Sequence, residues 1–142
     1  MNTYHPFSRR RFLKSVVVSI AASTTLSACS EQDYLALAQT LTLQLTRRDL
    51  ALKVGKAYDK YIEAQTRLDI PKIVESLLST LDLNASQLKA LSPEGLHNKI
   101  NAQVKQEFES ETVFKVVGWL LSETETRLCL LAYLLDTPAK AA

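Results

Sequence analysis

Apolar side chains recur every three or four positions through most of the chain after residue 29, as they do on one face of an α-helix. The most regular stretch follows Asp69-Ile70-Pro71, where the proline suits the first turn of a helix. Its apolar positions are Ile70, Ile73, Val74, Leu77, Leu78 and Leu81. Further helical segments are expected over residues 31–45, 50–62, 84–91, 93–108 and 123–137. The pattern therefore predicts five or six short helices.

Residues that cap helix N-termini stand at the start of several of these segments. Ser122-Glu123-Thr124-Glu125 has the S-x-x-E form of a capping box, in which the serine and glutamate side chains satisfy backbone N–H groups. Thr46-Arg47-Arg48-Asp49 offers a T-x-x-D version of the same pattern. In the middle of the chain, the candidate caps are Asn84 or Ser86, and Ser92 before a proline. These signals fix where we expect the helices to begin.

One segment departs from helical spacing. Residues 112–117 are rich in β-branched and aromatic side chains, and Gly118 ends the run, so we predict a short extended connection or strand. Trp119, the single tryptophan of the chain, follows directly. It either anchors this segment to the core or, together with Val117 and Leu120, fills a pocket on a partner protein.

The helix predicted after Ser122 is apolar around most of its circumference. A helix of this kind either lies at the centre of a bundle or offers a surface to a partner. The central position is the simpler interpretation.

The composition agrees with one small helical domain. The chain has 142 residues, of which 46% are hydrophobic and 23% are charged, and this excludes both a disordered chain and a polytopic membrane protein. Only 3 glycines and 4 prolines are present, which argues against a turn-rich all-β sandwich. We therefore predict an all-α fold, a small bundle of five or six helices with one short extended segment.

The first 28 residues have the order of a secretory signal: a basic stretch, an apolar run and then small residues. They carry four of the 17 basic residues and none of the 15 acidic ones, which leaves residues 29–142 with a net charge of −2. The apolar run over residues 15–28 is shorter than the roughly 20 residues that cross a bilayer as a helix. We predict a cleavable signal over residues 1–28 and a single helical domain over residues 29–142.

The basic stretch of this signal resembles the twin-arginine export motif, S-R-R-x-F-L-K. Every specified position is filled, by Ser8, Arg9, Arg10, Phe12, Leu13 and Lys14. The resemblance implies export by the twin-arginine (Tat) machinery, which is known for carrying folded proteins.

The end of the signal resembles the lipobox of bacterial lipoprotein precursors, with Leu26, Ser27 and Ala28 ahead of Cys29. The resemblance implies cleavage before Cys29, transfer of a diacylglycerol to its thiol, and a tether to the membrane. In such lipoproteins, an aspartate directly after the cysteine favours retention at the inner membrane. Here Ser30 stands at that position. We therefore expect the protein to be lipid-anchored in the cell envelope, facing the periplasm from the outer membrane if the host is Gram-negative. The alternative is an incidental cysteine at the end of a Sec signal.

Residues 29–142 show little sign of chemistry. His97 is the single histidine after the signal, and we expect it on the surface. Cys129 lies among leucines, which predicts a buried side chain rather than a reactive thiolate. Glutamates bracket the extended segment without the spacing of a calcium loop, at positions 107, 109, 111, 123 and 125. The charge of Glu123 and Glu125 suits a helix N-terminus.

Motifs for nucleotide binding and hydrolysis are absent from the sequence. The basic residues after Cys29 are dispersed and outnumbered by acidic ones. We therefore predict no catalytic residue, no metal, no cofactor and no nucleic-acid partner.

The overall plan resembles the small subunits of membrane-associated FAD-dependent sugar and alcohol dehydrogenases, which are short, twin-arginine-led, helical and without catalytic residues. The likeness includes a weak sequence similarity over residues 41–61. The lipobox is a departure, because it is not expected in those subunits. The resemblance implies a non-catalytic subunit that escorts an exported oxidoreductase and anchors it to the membrane.

Two alternatives stay open beside this hypothesis. One is a stand-alone helical envelope lipoprotein with a structural or binding role. The other is an enzyme or ligand carrier, whose site would show as an apolar cavity with convergent polar groups.

Overall fold

Six helices and one β-hairpin account for most of residues 29–63 and 65–137, the part of the chain that the computed structural model describes. The helices are α1 (Glu31–Thr42), α2 (Arg48–Glu63), α3 (Ile70–Thr80), α4 (Ala85–Ala90), α5 (Pro93–Glu109) and α6 (Glu123–Asp136). The strands β1 (Val113–Val116) and β2 (Trp119–Ser122) lie between α5 and α6. This confirms the predicted all-α bundle, although the second strand was not predicted. The export motif and lipobox residues 8–28 lie outside the described residues.

Side chains cap the N-termini of four helices, at positions that the sequence indicates. Asp69 caps α3, Asn84 caps α4, Ser92 caps α5 and Ser122 caps α6. The caps of α4 and α6 are complete capping boxes, with the reciprocal bond from the third helical residue in place. Asn84, rather than Ser86, is therefore the cap of α4.

The start of α2 differs from the predicted T-x-x-D cap. The helix begins at Arg48, and the carboxylate of Asp49 accepts hydrogen bonds of 3.2 Å from the Arg47 guanidinium instead of bonding back to Thr46. Both side chains are exposed, so this ion pair contributes little to the stability of the fold.

Helix α6 is the centre of the bundle. It packs against α1, α2, α3 and α5 and against both strands. Leu128, Leu130 and Leu131 are buried on different sides of it, which explains why its sequence is apolar nearly all round. Of the two interpretations of this helix, the central position is the one that the fold shows.

Helices α2 and α6 pack closely against each other at Gly55. A Cβ atom added to Gly55 would lie 2.2 Å from the backbone carbonyl oxygen of Cys129 and 2.7 Å from Cβ of Tyr133. The two helix backbones can therefore pack at this distance only because residue 55 has no side chain.

The two strands form an antiparallel hairpin in which Val116 pairs with Trp119 across a two-residue turn. The turn residues Val117 and Gly118 both have positive φ, 50° and 80°, which is the pattern of a type I′ turn. No helix within residues 29–63 and 65–137 is both long and apolar enough to cross a bilayer.

Candidate functional site: a hairpin tip and an apolar groove

The base of the hairpin is fixed to the bundle, because β2 runs directly into α6. The backbone N–H of Glu123 donates to the carbonyl oxygen of Thr112 at 3.2 Å, which ties the start of α6 to the residue before β1. Ser122 Oγ accepts from the N–H of Glu125 at 3.1 Å, and Glu125 Oε2 accepts from the N–H of Ser122 at 2.8 Å. The tip of the hairpin therefore projects from a well-anchored base.

A buried carboxylate, that of Glu107 on α5, satisfies another N–H at the same helix start. Its Oε2 accepts from the backbone N–H of Thr124 at 2.8 Å, and its Oε1 accepts from the Thr124 hydroxyl at 2.7 Å and the Gln103 amide at 3.0 Å. Burial alone would raise the pKa of Glu107, but these hydrogen bonds outweigh it and hold the pKa below its ordinary value of 4.5. Glu107 thus stays ionised against the positive end of the α6 dipole.

The remaining glutamates near the hairpin have separate roles. Glu123 pairs with Arg127 one turn along α6, while Glu109 and Glu111 are exposed. Glu125 belongs to the capping box, as its position at the helix start indicates. Within residues 29–63 and 65–137, no three histidine, cysteine, aspartate or glutamate side chains lie close enough together to hold a metal ion.

The hairpin tip exposes three large apolar side chains, Val117 (61%), Trp119 (59%) and Leu120 (57%). Paired residues share a face of an antiparallel hairpin, and neighbours along a strand alternate. Trp119 therefore lies on the face of Val116, which is buried against the bundle, whereas Leu120 lies on the opposite face. The structure brings Val117, Trp119 and Leu120 to one tip but not to one face.

Trp119 does not anchor the hairpin to the core. That role falls to Val116, which is buried, and to Phe114, whose ring meets the ring of Tyr58 on α2 edge-on with centroids 6.0 Å apart. The interpretation of Trp119 as a structural anchor is therefore wrong, because more than half of its side chain is open to solvent.

Val117 occupies a backbone conformation that β-branched residues rarely adopt. Both central positions of a type I′ turn need positive φ, for which asparagine and glycine are the usual residues. Strain of this kind costs about 1–3 kcal/mol and often marks functional positions. The chain thus has an apolar side chain, that of Val117, at a turn position where the backbone conformation favours asparagine or glycine.

Replacing Val117 with asparagine should stabilise the domain by about 1 kcal/mol, because asparagine tolerates positive φ and loses no buried contact at this exposed apex. Urea unfolding of the two proteins measures the difference. The same substitution at Val113, a half-buried strand position, serves as the control and should destabilise. A V117N variant no more stable than the original chain would show that the turn carries no strain.

An apolar groove of about 390 Å³ lies beside the hairpin. It is lined by residues of the α1–α2 connection, α2, α5, the hairpin and α6. Its apolar lining consists of Leu45, Leu50, Ala51, Val54, Ile100, Val104, Val117, Trp119, Leu121, Leu128 and Cys129. Leu120 is not part of it, so the groove and the outer face of the hairpin are separate surfaces.

The lining residues of α5 follow helical spacing. They are His97, Ile100, Asn101 and Val104, and the first and last are seven positions or about 10 Å apart along the helix. Polar side chains stand among them and at the α1–α2 connection: Gln44, Thr46, Arg47, Lys53, His97, Asn101 and Glu125. An apolar channel with a few polar groups is the usual construction of a small-molecule site.

Cys129 in the groove is inert. Its side chain is buried, and burial followed by the nearby charge of Glu125 raises the pKa of the thiol to about 12. The prediction of a buried small side chain is confirmed. His97 is exposed, as predicted, but no local pattern indicates that it borders a groove.

Comparison with protein-family models, with curated proteins and with solved structures gives no match to this chain. The exposed apolar hairpin tip and the groove are the two features of the described residues that bear on function.

Proposed function

We propose that the chain is a non-catalytic, membrane-tethered lipoprotein subunit that escorts an exported oxidoreductase and anchors it to the membrane. Docking is assigned to the hairpin tip, Val117, Trp119 and Leu120. The observation that carries this assignment is the exposure of three large apolar side chains on a turn strained at Val117. Large apolar side chains left exposed together at one tip are a usual mark of an interaction surface.

The arrangement of the tip constrains the partner. Trp119 and Leu120 lie on opposite faces of the hairpin, so a flat surface would cover one of them and leave the other in water. A pocket that encloses the tip from both sides buries all three side chains. Burying one leucine is worth about 1.5–3 kcal/mol, which is tenfold or more in affinity.

Replacing Leu120 with serine should weaken the complex with the partner about tenfold or more, because Leu120 is a docking residue outside the groove. The protein is captured from detergent-solubilised membranes, and its stoichiometric flavin- or metal-containing partner is quantified. Leu43→Ser is the matched control, since Leu43 is even more exposed, at 80%.

Equal recovery of the partner with L120S and with L43S would contradict docking through the hairpin. A second outcome would also contradict docking of a protein partner. If the unlipidated protein binds phospholipid vesicles and L120S loses that binding, the hairpin tip contacts the bilayer instead.

The export and tethering parts of the proposal rest on residues 8–29. Replacing both Arg9 and Arg10 with lysine should leave the precursor and its signal-less partner in the cytoplasm, as cell fractionation would measure. Cys29→Ala is the companion variant: both proteins should still be exported but should be released from the membrane. Export of the partner in the lysine variant would contradict the escort role.

A second candidate is a ligand carrier of the cell envelope, and the groove, an apolar cavity with polar groups in its lining, favours it. In that case the protein would purify from membranes alone and would hold a small molecule. The two candidates are separable because the docking test uses Leu120, which lies outside the groove.

A further inference from the structure

The groove supports an inference beyond the docking of a partner, although Val117 and Trp119 belong both to its lining and to the hairpin tip. Hydrocarbon side chains such as Ile100, Val104 and Leu128 line it, and the Cys129 thiol among them is protonated and neutral. Polar groups of a ligand would find few hydrogen-bonding partners there, and burying them unpaired is costly. The volume of about 390 Å³ is that of a small-molecule site.

The polar part of the lining differs from the rest of the domain. Residues 29–142 have a net negative charge, yet the groove is lined by Arg47, Lys53 and His97 and by a single acid, Glu125. The guanidinium of Arg47 is already paired with Asp49, so Lys53 supplies the positive charge that a ligand would meet, and the His97 ring can donate a hydrogen bond. The groove therefore pairs an apolar lining with one cationic side chain that attracts anions.

We propose that the groove binds a single acyl chain with an anionic headgroup, the chain lying along the apolar lining and the headgroup beside Lys53 and His97. The lining residues of α5 extend over about 10 Å and present aliphatic groups at successive turns, which suits a hydrocarbon chain. A carboxylate from a free fatty acid and a phosphate from a lysophospholipid satisfy the same chemistry.

Trp119 lines the groove and is the single tryptophan, so its fluorescence reports occupancy. The full chain with Cys29→Ala is titrated with octanoate, decanoate and dodecanoate below their micellar concentrations. We expect a saturable shift of the emission to shorter wavelength, with roughly tenfold tighter binding for each two methylenes added. Dodecyl phosphate and a lysophospholipid with an anionic headgroup, titrated alongside, distinguish the two sources of the ligand.

Matched variants locate the site. Val104→Phe fills the groove and should weaken dodecanoate binding about tenfold or more, whereas Ala102→Phe, on the exposed side of the same helix, should not. Lys53→Gln removes a rim charge and should weaken binding several-fold, whereas Lys56→Gln, also exposed on α2 but outside the groove, should have no effect. Circular dichroism verifies the fold of each variant.

Three results would overturn the proposal. One is the absence of a saturable shift with any of the anionic probes. Another is an affinity for dodecylammonium equal to that for dodecanoate, since the positive charge of Lys53 should disfavour a cationic headgroup. The third is binding that V104F and A102F reduce equally. The docking test on Leu120 is unaffected by each of these outcomes, because that residue lies outside the groove.

Discussion

Replacing Gly55 with alanine should lower the free energy of unfolding by about 1–3 kcal/mol. The added Cβ would lie 2.2 Å from the carbonyl oxygen of Cys129, and that oxygen belongs to the backbone of the central helix. It cannot rotate away as the end of a side chain can, so α2 and α6 have to separate. Alanine's higher helix propensity returns only about 1 kcal/mol of this loss. Urea unfolding monitored by circular dichroism measures the difference.

Gly95→Ala is the matched control for this prediction. Gly95 is also helical, but its added Cβ would meet the side chain of Leu91 at 3.0 Å and the Ser92 hydroxyl at 3.1 Å, and the leucine can adjust. The gain in helix propensity should therefore leave G95A close to the original stability or slightly above it. If G55A were as stable as G95A, the close approach of α2 and α6 would not be a constraint on the fold.

Replacing Glu107 with glutamine should destabilise the domain by about 2–4 kcal/mol at neutral pH, because it removes a buried charge that accepts hydrogen bonds from Thr124 at the positive end of α6. The glutamine keeps the shape of the side chain, so the loss reports the charge and its hydrogen bonds. Glu109→Gln is the control, since Glu109 is exposed on the same helix.

The effect of Glu107 should depend on pH in a defined direction. Its pKa is below 4.5 in the folded protein, so the ionised side chain contributes stability above pH 4.5, and this contribution is lost as pH falls through the folded pKa. The stability difference between the original chain and E107Q should accordingly shrink as the pH falls below the ordinary carboxyl pKa of 4.5. A difference that stays constant as the solution is acidified would show that the fold does not lower the pKa of Glu107.

The helices and their starts could be predicted because their signals are local. Asp69, Asn84, Ser92 and Ser122 each stand at the beginning of an apolar stripe, and each caps its helix. Capping depends on side chains and N–H groups within one turn, so a short stretch of sequence holds all the information.

The second strand could not be predicted in the same way. A two-residue hairpin turn is ordinarily signalled by asparagine or aspartate before glycine, and Val117 replaces that signal. The position of β2 is set instead by its pairing with β1 and by the packing of Phe114 against Tyr58, which are contacts that the linear pattern does not show.

The groove and the role of Glu107 were hidden for a related reason. The groove is assembled from the α1–α2 connection, α2, α5, the hairpin and α6, and no one of these segments carries a recognisable binding motif. In the sequence, Glu107 is one of several acids around the extended segment. Its hydrogen-bond partner Thr124 lies 17 positions away, so no local pattern connects the two residues. Both features depend on how the helices cross.

The place of α6 in the chain has a consequence for how the protein is made. It follows the other five helices in sequence, although α1, α2, α3 and α5 all pack against it. When residues 31–109 have been synthesised, the helices they contain still lack α6, the helix against which they pack. Isolated helices of this length are marginally stable in water. The core closes only when residues 123–136 leave the ribosomal tunnel, so the bundle cannot complete its fold before α6 has emerged.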